Sequence, residues 1–377
     1  MKKTMTLMIL AAIFATITFA QPRVHSQAVQ QRAQKWAQNT SARKPSADIR
    51  QKALEAAQGM QSFGLPTDRD VVLVTGYSGL VRAAYGRNYP TRVDAMTFVT
   101  DLPGNDFEKI SALAGGDIFT ISSNGLFHIT DPGRQGIAGT IYQYPTVGMV
   151  DTLAALGSNV VVAGRANNPY VLQYTLGANG QENGLGVNAA GFGSVSTAVL
   201  NNGDIYILDA AEQYVYRVPA SGQQTELYYY VPTGNAVAIA TNAQGNQIYL
   251  ALAGMPGQDN QTCSSSGPCP PSVAQPALPG QIILLEQALG PNGPFVNPVV
   301  VLSGNQLNNV QFGPHSFFVS GNLAYIDIYQ QGGQYQASGD ELWAFDMSQQ
   351  DVAYTFLSAE FAPDATAFAL YPAPPKQ

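Results

Sequence analysis

The sequence predicts an all-β chain: a six-bladed β-propeller closed by its C-terminal strand and preceded by a short helical N-terminal arm. Three observations carry that expectation. Residues 202–222, NGDIYILDAAEQYVYRVPASG, hold two short apolar runs, 205–208 and 214–218, around a polar connection, which is the pattern of a hairpin. The first run, Ile-Tyr-Ile-Leu, has no polar face, and a strand apolar on both faces needs a neighbour on each. The opening of that hairpin recurs. A turn residue or Asx before an apolar run stands at Asp70, Asp117, Asn159, Asp204, Asn246 and Asn322, in steps of 47, 42, 45, 42 and 76 residues. A period in the forties with several strands per unit marks propeller blades, and the long last step is one period plus an insertion. Finally, only 11% of residues are charged while 45% are hydrophobic. An average domain is about a quarter charged. Gln, Asn, Ser, Thr, Gly and Tyr carry the polarity instead, which suits a turn-rich β-protein and excludes a disordered chain.

Residues 1–20, MKKTMTLMILAAIFATITFA, read as a secretory signal. Lys2 and Lys3 precede an apolar core too short for a comfortable transmembrane helix, and Thr18 and Ala20 are small enough for cleavage before Gln21. The expected location is the periplasm or the medium, with no membrane span after cleavage. Residues 21–62 form an arm rich in Ala and Gln, with Pro45 between two helical stretches. Ser46 is a good N-cap for the second, and Ile49, Ala53, Ala57 and Met60 recur at helical spacing. The arm carries a net +5 and the signal +2, leaving −14 on residues 61–377 for a chain total of −7. A basic arm on an acidic body is either a solvated arm packed on its own propeller or one that binds an acidic partner, glycan or surface. The acidic body argues against a nucleic-acid partner.

Residues 63–377 hold the propeller. Strands at 71–74, 80–84 and 95–99 form a first blade without its innermost strand. Blade two runs over 110–144, blade three over 150–187 and blade four over 195–231. Blade five starts at 236, is interrupted by an insertion at 254–280, and resumes at 282–285 and 299–302. Blade six holds 316–319, 323–328, 342–345 and 353–357. The tail 366–371, TAFALY, is left to supply the missing inner strand, which removes the edge that an open array would expose. Cys263 and Cys269 lie in the insertion with no His or third Cys near them. In an oxidising compartment they are expected to form a small disulfide that pins the loop and barely holds the fold.

Asp204, Asp209 and Arg217 match the NHL-type blade, in which a Gly-Asn/Asp precedes a strand ending in Asp, a turn, and a strand ending in a basic residue. The chain resembles the broad group of six-bladed NHL, SMP-30/gluconolactonase-like and strictosidine-synthase-like propellers. In the SMP-30-like hydrolases of that group, a Glu, two Asn and an Asp hold a metal at the channel mouth. This sequence offers no Glu and one clear Asn there. Across the hairpin, Asp209 and Arg217 are expected to face each other as a local pair.

No phosphate-cradling GxxxxGK[ST], HExxH or EF-hand loop occurs in the sequence. Gly76-Tyr-Ser78-Gly79 is one residue short of a nucleophile elbow and reads as a hairpin turn. His25 falls in the arm and His128 on a strand, as a packed residue. Counting back from the repeated openings places Lys109, Asp151, Ser196, Asn235, His315 and Asp364 near the entries to the innermost strands, to within about two residues, around the channel mouth. A ring mixing carboxylate, amide and imidazole suits a divalent cation or a polar ligand. If the site is catalytic, His315 and Asp151 are its candidate acid–base groups. Two long loops, 254–280 and 329–339, open on the same face. The favoured expectation is binding or scaffolding of an extracellular or periplasmic protein, glycan or small molecule through that face. The alternatives are a metal-dependent hydrolase of lactonase or esterase type and a secreted structural subunit assembled through the arm, since propellers host many functions.

Overall fold

A computed structural model describes residues 51–53, 55, 65–66, 68–86, 93, 95–102, 107–113, 116–122, 125–130, 140–144, 152–156, 160–164, 170–176, 182–188, 195–210, 212–220, 225–254, 258–259, 274–275, 278–290, 293–303, 307, 310–331, 334–335, 340–349, 352–358 and 362–371. The signal, nearly all of the arm, Asp151, Cys263 and Cys269 lie outside the described residues. Among the described residues, no helix is long and apolar enough to cross a membrane.

The strands follow one another outward in antiparallel sheets. β1 (Val71–Gly76), β2 (Leu80–Tyr85) and β3 (Ala95–Asp101) make the first, and β4 (Phe107–Ala112), β5 (Ile118–Ser122), β6 (Gly125–Ile129) and β7 (Ile141–Tyr144) the second. The third holds β8 (Thr152–Leu156), β9 (Val160–Gly164), β10 (Tyr170–Leu176) and β11 (Glu182–Asn188). The fourth holds β12 (Val195–Val199), β13 (Ile205–Asp209), β14 (Tyr214–Val218) and β15 (Glu226–Tyr230). In the next sheet β16 (Ala236–Thr241) and β17 (Ile248–Leu252) come first. The insertion then forms its own two-stranded pair, β18 (Gln258–Asp259) with β19 (Ala274–Gln275), before β20 (Gln281–Gly290) and β21 (Gly293–Ser303) complete the sheet. The last sheet runs β22 (Val310–Ser320), β23 (Leu323–Gln331), β25 (Glu341–Asp346) and β26 (Ala353–Leu357), with β24 (Gln334–Tyr335) added onto β23. β27 (Ala365–Tyr371) returns to pair with β1 along its whole length and takes the innermost place of the first sheet. In place of the six blades expected, the described residues form five four-stranded blades, one sheet of five strands and the two-stranded pair of the insertion. The difference arises because two residues of the 329–339 loop fold back on β23.

Innermost strands stand side by side around a closed ring, in the order β27, β4, β8, β12, β16, β22 and back to β27. This is a propeller arrangement. The apolar runs form strands here because both faces of each sheet meet a neighbour. In β1, Val71 and Leu73 pack with Phe107, Ile110 and Ile118 of the second sheet, while Val72 and Val74 pack with Tyr325, Leu342 and Phe356 of the last. Phe119 and Ile121 of β5 turn to Leu153 of the third sheet. A larger cluster joins the fourth, fifth and last sheets through Tyr206, Leu208, Ile239, Leu250, Phe312 and Phe345. Each such side chain contributes about 1.5–3 kcal/mol on full burial, so the seams between sheets are the core.

The repeated sequence openings are turns of one design. Gly116, Gly203, Gly245 and Gly321 all have positive φ, between 56° and 96°, a conformation glycine adopts without a Cβ penalty. At three of them the Gly N–H closes the turn on the carbonyl three residues back, Leu113, Leu200 and Asn242, at 2.8–2.9 Å.

Candidate functional site

The starts of the innermost strands share one end of the ring, and the described residues there are fixtures of the fold. Asn235 directly precedes β16 and is buried. Its Nδ2 donates to the carbonyls of Ala253 at 2.7 Å and Pro279 at 3.4 Å, and its Oδ1 accepts from Thr233 Oγ1 at 2.6 Å. Ala253 and Pro279 are the two stems of the 254–280 insertion, so one amide holds both. Asp364 directly precedes β27 and is fully buried. Its Oδ1 takes Arg82 Nη2 at 2.7 Å, its Oδ2 accepts from the Ser78 hydroxyl, and its carbonyl accepts Tyr77 N at 3.0 Å. Arg82 is also fully buried, and its Nε and Nη1 have no partner among the described residues. The second long loop is tied down beside this pair, through Asp340 N to Ala365 O at 2.6 Å.

Three other expected site residues lie within strands, Lys109 and Ser196 close to the strand starts. Lys109 is the third residue of β4 and is buried, with its carbonyl accepting Thr120 Oγ1 at 2.8 Å. Ser196 is the second residue of β12, and its Oγ accepts Ile239 N of β16 at 3.3 Å. His315 lies inside β22, on the stretch where the register with β23 jumps between Phe312 and Phe317. The sequence expectation started that strand at 316. The strand instead continues through Gly313-Pro314 as an irregularity, which a proline without an N–H donor favours.

Sequence reasoning missed the recurrence of the Ser196 bond. Ser316 N donates to Asp327 Oδ1 at 2.9 Å, and Ser316 Oγ accepts Phe368 N of β27 at 2.6 Å. Ser196 and Ser316 each stand three residues before a valine, and Ile239 and Phe368 are each the fourth residue of the next innermost strand. The same hydroxyl therefore stitches two different seams. Thr366 Oγ1 adds a third tie, to Phe107 O of β4 at 2.7 Å. The signal was present in two short internal repeats, Ser-x-x-Val and Ala-x-Ala-x-Ala.

Asn235 and Asp364 do not fit a divalent cation. The Asn235 oxygen and the Asp364 carboxylate already accept from Thr233, Arg82 and Ser78, and a cation site needs free oxygen donors. Among the described residues no group of three His, Cys, Asp or Glu is placed to hold a metal.

At the opposite end of the ring the Asx openings hold basic side chains. Arg217 does not face Asp209, which pairs with Tyr214. Its Nε and Nη2 instead donate to Asp204 Oδ2 at 2.9 and 2.8 Å, and its Nη1 reaches Glu226 at 3.5 Å. That charge-assisted fork raises the Arg217 pKa. Asp209 caps its own turn by accepting Glu212 N at 3.1 Å. In the second sheet His128 takes the equivalent place. Its Nε2 is 2.9 Å from Asp117 Oδ2, and its ring stacks on Phe119 with centroids 4.5 Å apart.

A cavity of about 390 Å³ opens between the fourth and fifth sheets at this end. Its walls include Asn202, Tyr206, Arg217, Tyr228, Gln247 and Gln287. Tyr206 and Tyr228 meet edge to face with centroids 4.8 Å apart, and burial raises the pKa of both phenols. Asn201 laces the two walls together, from its N to Gly245 O at 2.7 Å and from its Nδ2 to Gln244 O at 3.3 Å.

No protein-family model matches the chain, and no curated protein matches it. Solved structures do. A protein of unknown function from Bacteroides caccae matches at 15% identity and a TM-score of 0.51, over 80% of this chain and 98% of that one. A streptogramin B lyase matches at 14% identity and a TM-score of 0.40, over 67% of this chain and 74% of that one. A catalytically inactive virginiamycin B lyase from Staphylococcus aureus, with quinupristin, matches at 14% identity and a TM-score of 0.41, over 70% and 79%. At 15% identity the likeness to the Bacteroides caccae protein concerns the fold alone.

Proposed function

We propose that this chain is an exported, non-catalytic binding propeller that recognises a protein, glycan or small molecule through its channel-mouth face. One observation carries the reading: the amide of Asn235 clamps both stems of the 254–280 insertion. The polar groups at this end hold loops in place, and long loops gathered on a rigid scaffold are where recognition resides. The bond from Asp340 to Ala365 fastens the 329–339 loop beside them. On this reading residues 1–20 direct export to the periplasm or medium and Cys263 pairs with Cys269 inside the insertion. The five-stranded sheet counts as a sixth blade, in keeping with the NHL-like pattern of Asp204 and Arg217.

Glycan and peptide arrays probed with the mature chain test the reading. Two variants, with residues 256–277 or 330–338 replaced by short Gly-Ser linkers, should lose the array signal with an unchanged melt. A signal that survives both replacements would place recognition elsewhere. Metal-dependent turnover of a lactone or ester would favour the hydrolase instead.

A further inference from the structure

The cavity between the fourth and fifth sheets lies at the end of the ring away from the channel mouth. It is lined from the β12–β13 turn, the β16–β17 turn and β20. Its volume of about 390 Å³ falls within the range of small-molecule sites, and the Asn201 bonds hold its walls at a fixed spacing. The hydrogen bonds around it define which groups remain for a ligand.

Asp204 is saturated. It accepts Asn202 Nδ2 at 3.2 Å, Arg217 Nε at 2.9 Å and Nη2 at 2.8 Å, and Ala220 N at 2.9 Å. Arg217, the one cation among the lining residues, is thereby neutralised. Glu286 on the lining is exposed, so the formal charge of the lining is negative and disfavours anions. On the fifth sheet, Asn242 Nδ2 donates to Asn246 Oδ1 at 2.7 Å and to Gln247 Oε1 at 3.0 Å. With both oxygens drawn to Asn242, the two amide –NH₂ groups face away from it as donors. Tyr228 is half-buried against Tyr206, and it and Gln287 both line the cavity. A phenol hydroxyl and a side-chain amide can each donate and accept.

The cavity thus offers amide donors from Asn246 and Gln247, a hydroxyl and an amide from Tyr228 and Gln287 that work either way, and an acceptor in Glu286. Hydroxyl groups, which donate and accept at once, match such a mixed wall. A cationic amine would meet outward N–H donors and a single exposed carboxylate. We propose that this cavity binds a neutral saccharide of one or two rings. The site is separate from the channel mouth, so either reading stands without the other.

Calorimetry on the mature chain, with cellobiose, maltose, lactose and N,N′-diacetylchitobiose as probes, tests the proposal. At least one should bind with a Kd in roughly the millimolar range. Gln247→Glu keeps the oxygen that Asn242 needs but removes the donor, and Tyr228→Phe keeps the ring. Each should weaken binding about fivefold or more, while replacement of residues 256–277 leaves it unchanged. Gln287→Ala, at an exposed position, serves if either variant fails to fold. The proposal is overturned if none of the four sugars saturates by about 20 mM, or if binding survives the cavity variants. It is equally overturned if galacturonate or glucosamine binds as tightly as the neutral sugars.

Discussion

Arg82 and Asp364 are separated by 282 residues and meet at 2.7 Å with no solvent on either side chain. Removing one partner of such a pair strands the other charge, at a cost of about 3–5 kcal/mol, whereas replacing both with apolar groups is often neutral. Arg82→Leu and Asp364→Leu should each shift the urea midpoint sharply downward, and the double variant should recover most of the loss. Additive losses in the double variant would mean that the pair is not coupled. Gly76 belongs to the same arrangement, since a Cβ there would lie 1.9 Å from Asp364 O. Asp364 was legible in the sequence as a position, at the start of the closing strand. Its partner was not, because nothing local marks an arginine on β2 as the neighbour of a residue 282 positions away. Arg217 shows the same limit at short range. Asp204 and Asp209 both lie within reach along the chain, and only the register, with Tyr206 opposite Arg217, selects Asp204.

The innermost strands contribute hydroxyls that join one sheet to the next. Ser316→Ala would leave the buried Phe368 N–H without its acceptor, a loss of about 1–3 kcal/mol. Hydrogen exchange at Phe368 should speed up in that variant more than at Ile239, whose stitch to Ser196 is untouched. Equal acceleration at both sites would show a general loosening rather than a local tie. The strands and their turns were legible because apolar runs and positive-φ glycines leave composition marks. The one-residue register shifts near the starts of β4, β16 and β27 leave none. At β4 the shift falls beside Lys109 itself, between Phe107 and Lys109. In β22, pairing with β23 carries the strand across Gly313-Pro314, where its register jumps.

Closure of the ring rests on the seam between the first and last sheets. Asp70 accepts Ser320 Oγ and Tyr325 OH, both at 3.0 Å, at one end. Ser316 holds Phe368 at the other, and Val93 N reaches Phe356 O at 2.6 Å on the outer side. Deleting residues 366–377 would remove most of β27, expose the edge of β1 and uncover the faces that Phe368 and Ala367 now fill. Thermal melts of that truncation should show no cooperative transition, and an unchanged melt would overturn the closure by β27. The position of β27 also governs timing. It leaves the ribosome after every other strand of the ring, so the contact that completes the first sheet joins the two most distant parts of the propeller. Until those last residues emerge, the growing chain holds an open array with no partner for β1. All the other strands of the ring must therefore be made before the ring can lock.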